Sequence, residues 1–438
     1  MKIGRLPRDD DSNGWSAILP PRSPKPALTG DQAADWVVLG AGYAGLAAAR
    51  RLAENCPGQQ VALIEAGAVG ENASGRNSGF AIDLPHNVGS SLDELEGSHR
   101  FMRLARTAVR YLEKSVERHG IDCGWSKDGK YHTAVSPRGV REVLEPFAKE
   151  LEALGEPYRW VETEELRGAL GSPHFTAAIY TPGGALMNPA ALTRGLADNL
   201  PANVTLYENS PVTEANFQNG IHLTTAGGSL RAPKMVLAAN GFSEQFGFYP
   251  RRFLHLVAHC SLTRRLTEDE RKAYGVAESW GMTPANAFVG ITMRYTPDHR
   301  IVVRHGLTYC PSQRISAAEL AAVKRRHKKL FDQRFPMLLD VEMEHTWSGF
   351  VCLSRNGSPG FGQLAPNIWS AVCQNAVGVT KGTIGGLLAA DMATGRDNPL
   401  IADMESLGAP DRLPPRPFLD LGVRARFAWE HWTNRHEA

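Results

Sequence analysis

The run Trp36-Val37-Val38-Leu39-Gly40-Ala41-Gly42-Tyr43-Ala44-Gly45 reads as a buried strand, a glycine turn and the start of a helix. Four apolar residues ending in glycine predict a parallel strand covered on both faces. Leu46 to Glu54 is rich in helix formers with apolar spacing, and Cys56-Pro57-Gly58 breaks that helix. Val61-Ala62-Leu63-Ile64-Glu65 then predicts a second buried strand. This is the first β-turn-α-β unit of a doubly wound sheet. Inside it, Gly40 permits the tight turn, Gly42 lets the backbone approach a pyrophosphate, and Gly45 lets the helix pack closely on the strand. The helix start at Tyr43 and Ala44 offers free N–H groups to phosphates. Glu65 lies 20 residues beyond Gly45, followed by Ala66. There a carboxylate accepts hydrogen bonds from ribose hydroxyls and disfavours a 2′-phosphate. The unit predicts a dinucleotide site.

Two segments further along narrow the dinucleotide to FAD. The first is Glu71-Asn72-Ala73-Ser74-Gly75-Arg76-Asn77-Ser78-Gly79, directly after the second strand. Small residues let backbone N–H groups pack against a bulky polar ring and its ribityl chain, and Arg76 is expected to place positive charge near a ring that becomes anionic on reduction. The second is Asn375-Ala376-Val377-Gly378-Val379-Thr380-Lys381-Gly382, ahead of an apolar helix. A helix N-terminus with glycines suits the electron-rich edge of such a ring.

The rest of the chain alternates nucleotide-type units with β-rich segments. The expected fold class is mixed α/β: a doubly wound, Rossmann-like FAD-binding domain interleaved with a mainly antiparallel β-sheet substrate domain. The FAD-binding domain is expected over residues 35–120, 185–245 and 345–400, and the substrate domain over 121–184 and 246–344. Residues 1–34 read as an irregular arm anchored by Trp15 and Pro20-Pro21, and 401–438 as a C-terminal tail. Helices are expected over 91–120, 147–170, 189–199, 316–335 and 382–395, and strands dominate 253–310.

The 48 basic and 46 acidic side chains leave a formal charge of +2, without the basic excess of a nucleic-acid binder. Six cysteines are scattered without regular spacing, which predicts reduced thiols in a cytoplasmic protein and no metal site. His255 and His259 are four apart, but on a strand that spacing does not suit a shared metal. No apolar run reaches membrane-helix length, so membrane association is expected to be peripheral at most. Phe418 to Trp432 mixes aromatics with arginines, as an interfacial helix does, with packing onto the body or a subunit contact as competing readings.

Four segments resemble the D-amino-acid-oxidase-like flavoenzyme superfamily: the fingerprint with Glu65, the Ser74–Gly79 loop, the segment 180–200, and the block 345–389. Within it the likeness is greatest to the gamma-glutamylputrescine oxidase group, and bacterial pipecolate oxidases are similar too. The resemblance implies FAD and two-electron oxidation of a C–N bond, with hydride passing to flavin N5 and an imine left behind. It implies a small amine or amino-acid substrate, and oxygen or a respiratory acceptor to reoxidise the flavin. It also implies that Val212 meets the adenine, that Asn240-Gly241 forms the turn after the third strand of the FAD-binding sheet, and that Gly378 to Lys381 face the pyrimidine end of the ring. Relatives carry Ser-Gly-His-Gly where this chain has Asn375-Ala376-Val377-Gly378, so a role for that histidine does not transfer.

A substrate carboxylate needs a cation, ideally a bidentate arginine. Arg294 and Lys381 lead the candidates, with His305 and Tyr309 as further polar groups; Arg300 and Arg304 lie on the same expected sheet, and Asp83 and His86 follow the small-residue loop. An NAD-dependent dehydrogenase and a non-catalytic FAD-binding subunit are the rival readings. The first leaves the Ser74–Gly79 loop unexplained, and only the altered turn favours the second.

Overall fold

The computed structural model describes residues 1–85 and 95–438, so His86 lies outside the described residues. Its centre is a six-stranded sheet in the order Gly360–Ala365, Ile368–Val372, Lys234–Leu237, Trp36–Leu39, Val61–Ile64, Val204–Tyr207. All neighbours are parallel except the first pair. Strand side chains alternate between faces. Trp36, Val38, Val61 and Leu63 accordingly pack on the helix side with Leu46 and Leu52. Val37, Leu39, Ala62 and Ile64 pack on the opposite side with Ile221, Leu223 and Leu230. Those three belong to a four-stranded sheet that covers the second face and includes Gly30–Ala33 from the arm.

On the helix side the fingerprint helix, Tyr43–Asn55, lies against the apolar helix Gly378–Ala393. The contact is backbone-close: a Cβ on Gly386 would stand 2.0 Å from the Ala44 carbonyl oxygen. The apolar helix begins at Gly378, a turn earlier than its composition suggested.

The second large sheet has eight strands, in the order Met343–Leu353, Leu254–Thr263, Ile301–Tyr309, Thr292–Tyr295, Trp280–Pro284, Lys130–Ala134, Ala177–Thr181, Arg159–Glu162. It is antiparallel except where Trp280–Pro284 runs parallel to Lys130–Ala134. Several details differ from the sequence reading. Residues 147–170 are not one helix, because Gly155 turns left-handed (φ 69°) to end Glu145–Leu154, and Arg159–Glu162 pairs as a strand before Thr163–Leu170. Residues 287–291 do not extend the following strand, since the Asn286 side chain accepts hydrogen bonds from the N–H groups of Phe288 and Val289 and curls the chain. Strand Met343–Leu353 belongs to the eight-stranded sheet, so a boundary at 345 falls inside a strand.

Within the arm, Asn13 caps the short helix Gly14–Ala17, and Trp15 is buried edge-on against Trp347. Pro20 and Pro21 are exposed and anchor nothing. All six cysteines are free, and among the described residues no helix is long and apolar enough to cross a membrane.

Candidate functional site

The parallel strands Trp36–Leu39 and Val61–Ile64 deliver Gly40 and Glu65 to the same edge of the sheet, where a cavity of about 540 Å³ begins. That volume is ordinary for a ligand site. Gly40 has φ +102°, and a Cβ there would sit 2.8 Å from the Ala238 carbonyl oxygen. A Cβ on Gly42 would meet Ser74 Oγ at 2.6 Å, and one on Gly45 would meet the Gly40 carbonyl at 1.7 Å. At Gly40 and Gly45 the clash is with backbone, so only glycine fits there, and the resulting trough is open to a ligand along Gly40, Ala41, Gly42 and Tyr43. Glu65 accepts a 2.7 Å hydrogen bond from the Ala41 N–H and a longer one from Gly67, while burial raises its pKa. Ala66 and Val212 line the same end, as do Ile3, Arg5 and Arg8 of the arm.

From there the cavity passes Ser74, Asn77 and Ser78 on one side and Asn240-Gly241 on the other. Ser74 Oγ accepts from the Tyr43 N–H, which ties the small-residue loop to the fingerprint helix. The far wall is Asn375 to Val379. This turn is strained: Cys373, Asn375 and Ala376 have φ of 55°, 51° and 65°. Asn375 is compensated, because its Oδ1 accepts from Ser354 N–H and its Nδ2 donates to the carbonyls of Gly357, Ser358 and Cys373. Ala376 has no such compensation, and a non-glycine residue in this conformation costs roughly 1–2 kcal/mol.

The remaining wall comes from the eight-stranded sheet and its loops: Ile82, His132, Phe147, Phe288, Thr292 and Arg304. Ile301 and Val303 face the helical side of their strand, and Val302 and Arg304 face the other. Arg304 has no side-chain hydrogen bond or ion pair among the described residues. Shielded from bulk water but open to the cavity, its guanidinium has a lowered pKa because burial disfavours the charge. An unpaired cation in an apolar-walled chamber, beyond a glycine-lined trough, is arranged to receive an anionic group.

The trough meets the requirements of FAD. It has close backbone approach at Gly40 and Gly42, a carboxylate, Glu65, at the end of the second strand, and a long continuation past Ser74 and Asn77 to a helix N-terminus at Gly378. A family model described as DAO, FAD dependent oxidoreductase, matches residues 35–392. The chain belongs to this family of FAD-dependent oxidoreductases. Gamma-glutamylputrescine oxidoreductase of Escherichia coli (strain K12) is 26% identical over 418 residues, covering 93% of each chain. A probable oxidoreductase OrdL of Haemophilus influenzae is 25% identical over 412 residues, 91% of each. Among solved structures, glycine oxidase from Geobacillus kaustophilus superposes with a TM-score of 0.71 at 20% identity, over 88% of this chain and all of that one.

Several residues expected at the site of this DAO-family chain stand elsewhere. Arg76 does not line the cavity; its guanidinium donates to the carbonyls of Glu71 and Ser348 and pairs with Asp9 and Asp10 of the arm. Its charge is thus neutralised. Gly75 and Gly79 pack behind the wall: a Cβ on Gly75 would meet the Gly70 carbonyl at 1.8 Å, and one on Gly79 would meet Arg294 at 2.0 Å. Thr380 is buried outside the lining, and the Lys381 ammonium lies 5.6 Å over the Phe101 ring, its pKa lowered by burial.

Arg294 is a strut. Its Nη1 donates to the carbonyls of Ser78, Gly79 and Met187, its guanidinium lies over the rings of Trp15 and Phe80, and burial pushes its pKa down to about 9. His305 is buried behind the wall, donates to the Val289 carbonyl and has its pKa pushed down to about 2, chiefly by burial. Tyr309 donates to Asp420 at 2.6 Å; burial and that carboxylate push it up to about 12. Arg300 pairs with Asp298 and Glu344, and Asp83 pairs with Arg106 outside the cavity. The sequence reading overlooked His132, Phe147 and Phe288. They lie on separate elements, and only the sheet order brings them together.

Proposed function

We propose that this protein oxidises the C–N bond of an amine or amino acid carrying a carboxylate, with oxygen or a respiratory acceptor taking the electrons onward in the cytoplasm. The observation that carries the reading is the unpaired Arg304 in the wall of the cavity. In this reading Gly40, Gly42 and Glu65 hold the ADP part of FAD, with Val212 beside the adenine. Ser74, Asn77 and Ser78 follow the chain towards the ring, and Gly378 and Val379 meet the ring edge. When bound, FAD supplies the two-electron acceptor. Arg304 grips the substrate carboxylate, and its planar fork fixes orientation as well as position. Phe147, Phe288 and Ile82 exclude water, so the carbon beside the nitrogen is presented in a dry chamber.

The test is an anaerobic flavin-bleaching screen over amino acids, gamma-glutamyl amines and cyclic imino acids. A carboxylate-bearing amine should bleach the yellow protein, and failure of every amine would refute the reading. For the best substrate, Arg304→Met should raise KM about ten- to hundredfold, the value of a charge-assisted pair, with a smaller effect on kcat. An unchanged KM would remove Arg304 from the role. The names of the similar proteins support both a gamma-glutamyl amine and a simple amino acid as substrate, and the screen separates them.

A further inference from the structure

The C-terminal helix, Phe418–Thr433, carries an apolar stripe on its solvent side. At 3.6 residues per turn, Phe418, Leu421, Gly422, Ala425, Trp429 and Trp432 fall within about 100° of arc. All six face solvent. Phe418 is 70% exposed, Leu421 64%, Trp429 49% and Trp432 67%. Among the described residues, seven large apolar side chains are exposed, and these are four of them. Single exposed apolar residues are ordinary, whereas a contiguous stripe marks a contact surface.

The helix is not a loose tail. On its inner side Phe427 meets Phe288 of the cavity wall edge-on at 5.4 Å, and Asp420 accepts the Tyr309 hydroxyl. Glu437, just beyond it, accepts the N–H groups of Val135 and Ser136. The inner side is therefore tied to the body at these points, and the outer face is turned towards solvent.

The charge around the stripe decides its occupant. Arg424 lies along one edge and Arg426 along the other, with Arg416 and Arg435 at the two ends. The acidic residues of this segment turn inward: Asp420 to Tyr309 and Arg416, Glu430 to Arg426 and Asn434, Glu437 to the chain at 135–136. Arg326 acts electrostatically on His431, and Lys324, Arg325 and Arg326 are exposed. Packing the stripe against a second copy in two-fold fashion would set arginine edges against arginine edges. An anionic bilayer matches both features, taking the apolar stripe into its interface and Arg424 and Arg435, which have no ion pair among the described residues, onto its phosphates.

We propose that the Phe418–Thr433 helix seats this protein on the surface of an anionic phospholipid membrane. The test sediments the full-length, FAD-loaded protein with vesicles of phosphatidylglycerol and phosphatidylcholine, and with vesicles of phosphatidylcholine alone. Binding should favour the anionic vesicles, fall with added salt, and come with a blue shift of tryptophan fluorescence. Leu421→Ser/Trp432→Ser should weaken it by about tenfold or more, since both side chains leave the lipid interface. Arg424→Glu should weaken it while leaving the flavin spectrum unchanged. The proposal fails if the protein stays in the supernatant, if the variants bind as well as the parent, or if sedimentation velocity shows a self-associated species that Leu421→Ser/Trp432→Ser dissolves. That last result would assign the stripe to a second copy.

Discussion

Ala376 sits at φ 65° in the turn that closes the cavity, beside an asparagine whose side chain makes five hydrogen bonds to hold a similar conformation. Ala376→Gly is therefore expected to stabilise the protein by about 1 kcal/mol, read as a higher urea midpoint at unchanged slope. A lower midpoint would show that the turn is not strained there. At Glu65 the expectation runs the other way. Glu65→Ala leaves the Ala41 N–H without its acceptor and removes the proposed ribose partner. FAD should dissociate at least about tenfold more readily, as followed by recovery of free-flavin fluorescence. The placement of the glycines and Glu65 at one edge of the sheet was legible in the sequence because it is set by spacing within one unit. Arg76 and Arg294 were not. Each meets partners hundreds of positions away or in the arm, and a strand position alone does not tell an arginine that clamps carbonyls from one left open.

Among the elements, the pairing of Tyr43–Asn55 with Gly378–Ala393 is the contact on which both ends of the trough depend. A methyl group on Gly386 would intrude on the Ala44 carbonyl. Gly386→Ala should cost about 1–3 kcal/mol and reduce FAD retention as well, because separating the helices displaces Gly42 relative to Gly378. A thermal shift with normal flavin content would break that link. The parallel strands and long helices could be read from apolar runs and helical periodicity. Arg159–Glu162 could not, because four residues carry too little periodicity and take their state from a distant partner.

Across the whole molecule, buried histidines set the acid side of the stability profile. His259, His305 and His327 are held neutral, with pKa values pushed down to about 4, 2 and 3, in each case chiefly by burial. The ordinary value is 6.5. Above it neither folded nor unfolded chain binds these protons. As pH falls below about 6.5, the unfolded chain takes them up and the folded chain does not, so stability declines from there towards pH 4 and below. Urea midpoints between pH 7.5 and 5 should fall accordingly, and a flat profile would exclude these histidines as its cause. The two-sheet plan was readable from the order of units along the chain, but the strand order of the larger sheet was not, since it joins residues 130–181 to 254–353.

The sheet order also bears on how the molecule is made. Trp36–Leu39 lies between Val61–Ile64 and Lys234–Leu237, and the trough it feeds is closed only by residues 371–382. During synthesis the fingerprint emerges early but keeps an unpaired edge until the middle of the chain is present, and it lacks a far wall until nearly all of it is. FAD is accordingly expected to bind only once the chain is nearly complete, where it would tie the first and last thirds of the polypeptide together. Flavin supply should therefore govern how much of the newly made protein survives proteolysis.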